Sequence, residues 1–128
     1  MKSSTQLTIA SLLSIALMTL HVTDDIHRGI SPPGADNIGA VAIFVLWLLG
    51  TLVLAGRRIG LVIMLLGGIF SAAMPVLHMR GTRYPAIAAG DGGFFFVWSL
   101  IVVGTTGVFS VILALRELWL RRSGMPGA

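Results

Sequence analysis

Four long runs of the sequence contain no charged residue, and they constrain the fold more than any other feature. They cover residues 3–20, 38–56, 59–77 and 92–115. A helix needs about 20 apolar residues to cross a hydrocarbon core roughly 30 Å thick. The second, third and fourth runs meet this requirement. The first run is shorter and contains several serines and threonines, so its assignment needs a separate argument.

The first run has two interpretations. It could be a cleaved signal peptide, with Lys2 as the basic region and residues 7–20 as the apolar region. Such a peptide ends in a cleavage site of small residues, and Ala16-Leu17-Met18 is a poor match to that pattern. We therefore interpret this run as the first transmembrane helix.

The composition places the chain in a membrane rather than in water. Of its 128 residues, 55% are hydrophobic and 11% are charged, whereas soluble domains are about 25% charged. A soluble fold of this length could not bury so much apolar surface, because small domains leave much of their area exposed. We expect the lipid bilayer to be the main partner of the protein.

Charge and cysteine content exclude several classes of function. The absence of cysteine excludes disulfides, thiolate metal sites and a cysteine nucleophile. A net charge of +4 could suggest a nucleic-acid partner. The basic residues, however, stand singly or in pairs at the ends of apolar runs, which is typical of membrane proteins. We expect no nucleic-acid partner, and we consider other membrane subunits or a second copy of the chain instead.

These features predict an all-α membrane protein, an antiparallel bundle of four transmembrane helices forming one integral membrane domain over residues 1–128. The predicted helices cover residues 4–28, 37–55, 59–79 and 94–121. The segment between the third and fourth helices is rich in glycine, so the sequence predicts an irregular outer loop there.

The distribution of basic residues predicts the orientation of the bundle. Lysine and arginine favour the cytoplasmic side of a membrane. With both termini inside, six basic residues lie on the inner face and three on the outer face, so we expect this orientation in a bacterial inner membrane. The inner set is Lys2, Arg57, Arg58, Arg116, Arg121 and Arg122, and the outer set is Arg28, Arg80 and Arg83.

Polar and small residues recur at steps of three and four along three of the predicted helices. Such residues normally face the bundle in a membrane protein, since lipid cannot satisfy their hydrogen bonds. We interpret these stripes as packing seams, with Trp47 packed between helices and Trp98 and Trp119 anchored at the interfaces. Phe94-Phe95-Phe96 is expected at the outer interface. The stripes are Ser4, Leu7, Ser11, Ser14, Met18, His21, Asp25 and Arg28; Gly60, Met64, Gly67, Ser71, Met74 or Pro75, and His78; and Ser99, Val103, Thr106, Ser110, Leu113 and Glu117.

The densest group of polar residues follows the apolar part of the first helix. Asp24 and Asp25 stand three and four residues after His21, so these side chains share one face of the helix. Arg28 continues that face by a further turn. His27 points in another direction and is a weaker candidate.

A second histidine reaches the same outer surface from the third helix. His78 lies near the end of that helix, shortly after Pro75, whose ring is expected to kink the helix and aim the segment that follows. Together the two helix ends form a candidate polar site. Its members are His21, Asp24, Asp25, Arg28, His78 and Arg80.

Two cofactor chemistries fit this set of residues. His21 and His78 with Asp24 or Asp25 supply two imidazoles and a carboxylate, the ligands of many zinc and non-haem iron centres, and His21, Asp25 and His78 are the set we favour. The two histidines could instead bind a b-type haem axially, with arginines of the outer surface pairing its propionates. Either cofactor would indicate an enzyme or a redox protein.

Two further interpretations need no cofactor. Asp25, His21 and the hydroxyls of the first helix could form a proton or ion pathway, although no predicted span has an ionisable group near its middle, as such pathways generally need. Alternatively, an aspartate bonded to Arg28, Arg80 or His78 ties two helix ends together. We expect a structural or accessory membrane protein of this last kind, not an enzyme, with the cofactor-binding protein and the small transporter as alternatives.

Overall fold

The computed structural model describes residues 3–31 and 34–123. The described residues form five α-helices and no β-strand, as the sequence predicts. The helices are α1 (Ser3–His27), α2 (Ile38–Leu48), α3 (Arg58–Met79), α4 (Tyr84–Ala89) and α5 (Gly93–Arg122). The bounds predicted for α1, α3 and α5 differ from the observed ones by at most one residue.

The body of the bundle consists of α1, α3 and α5, each of which is long and apolar enough to cross a membrane. The long helix α5 packs along both α3 and α1 and runs antiparallel to them. The ends of α1 and α3 therefore meet the start of α5. We call this the histidine end, because it carries His21 and His78. The opposite, arginine end carries Arg57, Arg58, Arg116, Arg121 and Arg122.

The second predicted helix is shorter and less regular than the predicted span over 37–55. α2 has 11 residues, and a π-helical turn over Leu49–Val53 continues it. The combined apolar segment Ile38–Val53 is shorter than the three long helices. The wider turn places Thr51 in the core, where its hydroxyl donates to the Trp47 carbonyl at 2.8 Å. The structure therefore corrects the predicted length of this helix. The π turn could not be predicted, because a run of apolar residues does not distinguish it from a regular α-helix.

Hydrogen bonds between helices hold the centre of the bundle together. The Trp47 Nε1–H donates to Ser11 Oγ at 2.8 Å, and the hydroxyls of Ser14 and Ser110 lie 3.3 Å apart. Each such bond within a membrane contributes about 0.6–2 kcal/mol. Trp47 is only 1% exposed, which confirms its predicted role in packing. Most residues of the three predicted stripes are likewise buried.

The close approach of α5 to α3 depends on small residues. Gly107 lies so near the α3 backbone that a Cβ atom there would contact the amide nitrogen of Ala72 and the carbonyl of Gly68. Such contacts between backbones are typical of small residues in membrane helices. α3 continues through Pro75, and the kink expected there stays a prediction.

The segment between α3 and α5 is more ordered than the sequence predicts. An irregular loop is expected over residues 80–93, but residues Tyr84–Ala89 form α4. Pro85 lies in the first turn of this helix, where its missing N–H is not needed for a helical hydrogen bond. Gly92 then takes a positive φ of 69° directly before α5. Because α4 packs against α5, this segment covers the histidine end.

Candidate metal centre

Three polar side chains from two helices converge at the histidine end. α1 supplies His21 and Asp25, which are four residues apart and therefore share a face, and α3 supplies His78. One ligand atom from each residue lies within 4.8 Å of the other two. Asp25 Oδ2 is 2.9 Å from His78 Nε2 and 3.7 Å from His21 Nε2. The structure thus brings together the set that the sequence favours for a metal ion.

Two members of this group are buried, and His78 is part-buried. His21 is fully buried and Asp25 is 7% exposed. Phe96, which is 1% exposed, packs its ring against both imidazoles, with centroid separations of 5.6 Å to His21 and 5.8 Å to His78. Charged groups in such surroundings need a partner, because burial removes their hydration.

A hydrogen bond with Ser99 positions the imidazole of His21. Ser99 Oγ lies 3.0 Å from His21 Nδ1 and 2.9 Å from the Phe96 carbonyl, to which its hydroxyl can donate. When the hydroxyl donates to Phe96, Ser99 accepts the Nδ1–H of the imidazole. In that tautomer, a neutral His21 ring presents a lone pair on Nε2.

The same reasoning applies to His78. Its Nδ1 lies 3.1 Å from the Met74 carbonyl oxygen, which can only accept a hydrogen bond. The hydrogen on Nδ1 is thus donated to Met74, and a neutral ring presents a lone pair on Nε2 toward Asp25. Metal-binding histidines commonly donate their other ring N–H to a carbonyl or another acceptor in this way.

Two buried atoms of the group have no hydrogen-bond partner among the described residues. They are His21 Nε2 and Asp25 Oδ1. Buried polar atoms are rarely left unpaired, because each costs about 1–3 kcal/mol. Both atoms are free to donate electron pairs to a cation, and with His78 Nε2 they give two nitrogens and a carboxylate. This donor set fits zinc or iron(II).

The geometry does not fit the haem alternative. The rings of His21 and His78 are in direct edge contact, with centroids 4.8 Å apart. A haem held by both histidines would have to place its porphyrin between these rings. The contact leaves no space for it, and a metal ion bound at the ring edges is the better match.

The remaining predicted residues have different places. Arg28 Nε donates to Asp24 Oδ2 at 2.7 Å, so Asp24 forms an ion pair beside the site and Asp25 alone faces the histidines. The Arg80 side chain is exposed and forms no hydrogen bond or ion pair within the described part of the chain, which corrects its inclusion in the site. His27 is exposed, as its position on the helix predicts.

Arg28 also connects α1 to the start of α5. Its NH1 donates to the Asp91 carbonyl at 3.0 Å and its NH2 donates to the Gly92 carbonyl at 2.9 Å. The guanidinium lies 5.7 Å from the centre of the Phe96 ring. Arg28 therefore holds Phe96, and with it the wall of the site, against the end of α1.

Two residues of the site were not found by sequence reasoning. The sequence placed Phe96 with its neighbours at the membrane interface, but Phe94 is 82% exposed while Phe96 is 1% exposed. Ser99 was assigned to a packing stripe without a link to His21. The three-residue spacing of Phe96 and Ser99, on the stripe that continues to Val103, is the signal that would have placed both residues inside.

A cavity of about 320 Å³ adjoins the site on the side of α4. His78 and Phe96 line it together with Thr82 and Arg83 of the α3–α4 connection and Tyr84 at the start of α4. This cavity gives the His78 side of the group a connection to the surface.

Comparison of the chain with protein-family models, curated proteins and solved structures gave no match. The residues at the histidine end are therefore the basis for assigning a function.

Proposed function

We propose that this protein is a small membrane protein that binds one divalent transition-metal ion, with Zn²⁺ the best fit, at its histidine end. The ligands are His21 Nε2, His78 Nε2 and the carboxylate of Asp25. One observation carries the proposal: each imidazole has its Nδ1 hydrogen-bonded to a neighbouring oxygen and its Nε2 close to the same buried carboxylate.

A single proton satisfies this arrangement only in part. A proton on His78 Nε2 would make the 2.9 Å contact with Asp25 a favourable ion pair. It would leave His21 Nε2 and Asp25 Oδ1 buried without a partner. A divalent ion can accept electron pairs from both imidazoles and the carboxylate at once. Its ability to use all three donors at once favours a metal over a proton alone.

The chemistry available at such a centre follows from its ligand count. Zinc sites with three protein ligands usually keep a fourth position for water or a substrate, whereas structural zinc sites have four protein ligands. The described residues supply three ligands here. The cavity beside His78 is the natural place from which a fourth ligand would reach the ion.

A structural role is the second candidate, and one specific contact favours it. The bond between His78 and Asp25 joins α3 to α1 without any metal, and Arg28 joins α1 to the connection before α5. In this case the protein is an accessory or structural component of a membrane assembly. The exposed apolar surfaces of the helices would then contact lipid or partner helices.

We further propose the arrangement of the chain in the membrane. In this arrangement α2, extended by the π turn, crosses the membrane beside the three long helices. Both termini face the cytoplasm, and the metal site faces the outside of a bacterial inner membrane. The five arginines at the opposite end support this orientation.

Elemental analysis of purified protein tests the metal site. Protein is stripped with a chelator, loaded with Zn²⁺ and desalted, and the zinc content is measured for the wild type, His21→Ala, Asp25→Asn and His78→Ala. His27→Ala is the matched control, because it removes an exposed histidine from the same helix. We expect about one ion per chain in the wild type and the control, and strong loss in the other three variants.

Either of two results would contradict the metal site and favour the structural role. One is a wild type that retains no zinc after desalting. The other is equal zinc retention in His27→Ala and all three site variants. If thermal stability falls in Asp25→Asn and His78→Ala while no metal binds, the group serves only to join the helices.

A further inference from the structure

A second cavity lies at the opposite, arginine end of the bundle. It has a volume of about 360 Å³ and is formed where the start of α1, the chain before α3 and the end of α5 meet. Its lining is polar on the α1 side and carries one guanidinium from α5. The lining residues are Ser4, Thr5, Thr8, Ala55, Gly56 and Arg121.

The guanidinium of Arg121 is held in place by the chain before α3. Its NH1 donates to the Gly56 carbonyl at 2.8 Å. An arginine has five N–H donors, and Arg121 forms no other hydrogen bond within the described residues. Most of its donors are therefore available to a ligand in the cavity.

Hydroxyl groups face Arg121 across the cavity. Thr8 donates its hydroxyl hydrogen to the Ser4 carbonyl at 3.0 Å. The hydroxyls of Ser4 and Thr5 have no such partner among the described residues. A cavity with a fixed guanidinium and free hydroxyl donors suits an oxyanion, because such ligands take charge-assisted hydrogen bonds from arginine.

The charge around the cavity also favours an anion. Arg57, Arg58, Arg116 and Arg122 are all exposed at this end. Glu117 is the one acid of the described residues there; it is 2% exposed and does not line the cavity. Basic clusters at the ends of membrane helices attract anionic lipids.

Exposed apolar residues adjoin the cavity along the chain. Leu52 is 60% exposed and Val53 is 69% exposed, only a few residues before the lining residue Ala55. A free phosphate ion would make no use of this surface. A phospholipid would place its phosphate against Arg121 and its acyl chains along these side chains.

We infer that the cavity at the arginine end binds the phosphate group of an anionic phospholipid, with Arg121 as the main donor and Ser4 and Thr5 as supporting donors. This site is independent of the metal centre, which lies at the other end of the bundle. It would attach the protein to anionic lipids of the adjacent leaflet.

Lipid titration in detergent tests this inference. Wild-type protein is titrated with phosphatidylglycerol or with phosphatidylcholine of the same chain length, and bound lipid is counted by native mass spectrometry. Arg121→Gln is compared with Arg122→Gln, which removes the same charge from the same helix but does not line the cavity. We expect phosphatidylglycerol to bind about tenfold more weakly to Arg121→Gln, with little change in Arg122→Gln.

Thr5→Val is a second test variant for the case that Arg121→Gln misfolds, because it leaves the Arg121–Gly56 hydrogen bond in place. We expect it to weaken phosphatidylglycerol binding by a smaller factor. Equal losses in Arg121→Gln and Arg122→Gln would overturn the inference, because they would indicate diffuse attraction rather than a site. It would also be overturned if Thr5→Val bound like wild type, or if millimolar inorganic phosphate displaced the lipid, which would identify a soluble anion as the ligand.

Discussion

His78 Nε2 lies 2.9 Å from Asp25 Oδ2, although the two residues are 53 positions apart in sequence. This contact joins α3 to α1 at the histidine end. The other nitrogen of His78 is bonded to the Met74 carbonyl, so the short contact of Nε2 with the carboxylate needs either a proton on one of the two groups or a metal ion bound by both. The unpaired Nε2 of His21 is the observation that favours the metal.

Replacing Ser99 by alanine should weaken metal binding without removing a ligand. Ser99 Oγ is hydrogen-bonded to His21 Nδ1 and so positions the ring that presents Nε2. Loss of such a supporting hydrogen bond typically costs about 10–100-fold in metal affinity. Competition with a zinc-sensitive chelator measures the change. Ser110→Ala is the control, because Ser110 is also buried on α5 but bonds Ser14 in the middle of the bundle; an equal loss there would contradict the assigned role.

Replacing Arg28 by lysine should destabilise the histidine end. Lysine can still pair with Asp24, but it cannot donate to the Asp91 and Gly92 carbonyls in the geometry of a guanidinium. We expect a loss of about 1.5–3 kcal/mol in the free energy of unfolding, the usual range for hydrogen bonds that involve a charged group. Thermal unfolding in detergent, followed by circular dichroism, provides the measurement.

The control for Arg28 is Arg80→Lys. Arg80 is exposed, and its side chain forms no hydrogen bond or ion pair with the described residues. Its replacement should leave the unfolding temperature unchanged. A comparable fall in both variants would mean that removing any arginine from this end destabilises the protein, and that the bonds of Arg28 are not the cause.

Gly107→Ala should separate α5 from α3. An added Cβ would meet the backbone of α3 at Ala72, which cannot move aside as a flexible side chain can. Overpacking of this kind costs about 1–3 kcal/mol. The control is Gly39→Ala on α2, where nothing lies within 4 Å of an added Cβ. Thermal unfolding should show a clear loss for Gly107→Ala and none for Gly39→Ala, and similar values for the two would argue against the packing described here.

The proposed crossing of α2 can be tested with single cysteines, since the natural chain has none. If α2 and its π turn span the membrane, Ala35→Cys and Arg57→Cys lie on opposite sides. A membrane-impermeant maleimide added to intact cells should then label Ala35→Cys and spare Arg57→Cys. Labelling of both or neither would place the two ends of this segment on one side. Labelling of Arg57→Cys alone would reverse the proposed orientation.

Much of the helical framework could be predicted because lipid imposes a simple rule on sequence. Charge-free runs mark α1, α3 and α5, and polar residues on them face inward; Ser11, His21 and Asp25 are buried as their spacing predicts. The convergence of His21 and His78 also follows from topology, since α1 and α3 end on the same side of the bundle.

Other features depend on tertiary contacts that cannot be predicted from a run of apolar residues. The π turn after α2 contains Thr51, whose side chain is buried in the core and hydrogen-bonded to Ser11 at 2.8 Å. Phe96 is buried because α4 and Arg28 cover it, while its neighbour Phe94 is exposed. Arg80 is exposed where α3 ends, and no ion pair or hydrogen bond links its side chain to Asp25 or His78 among the described residues.

X-ray absorption at the zinc edge of the loaded wild-type protein tests the central claim most directly, because it reports the atoms bound to the ion. The account predicts a low-coordinate site with imidazole scattering from two histidines and Zn–N distances of about 2.0–2.1 Å. The imidazole signal should fall by half in His21→Ala or His78→Ala and stay unchanged in His27→Ala. A shell of oxygen atoms alone, or an unchanged spectrum in the His21 and His78 variants, would contradict it.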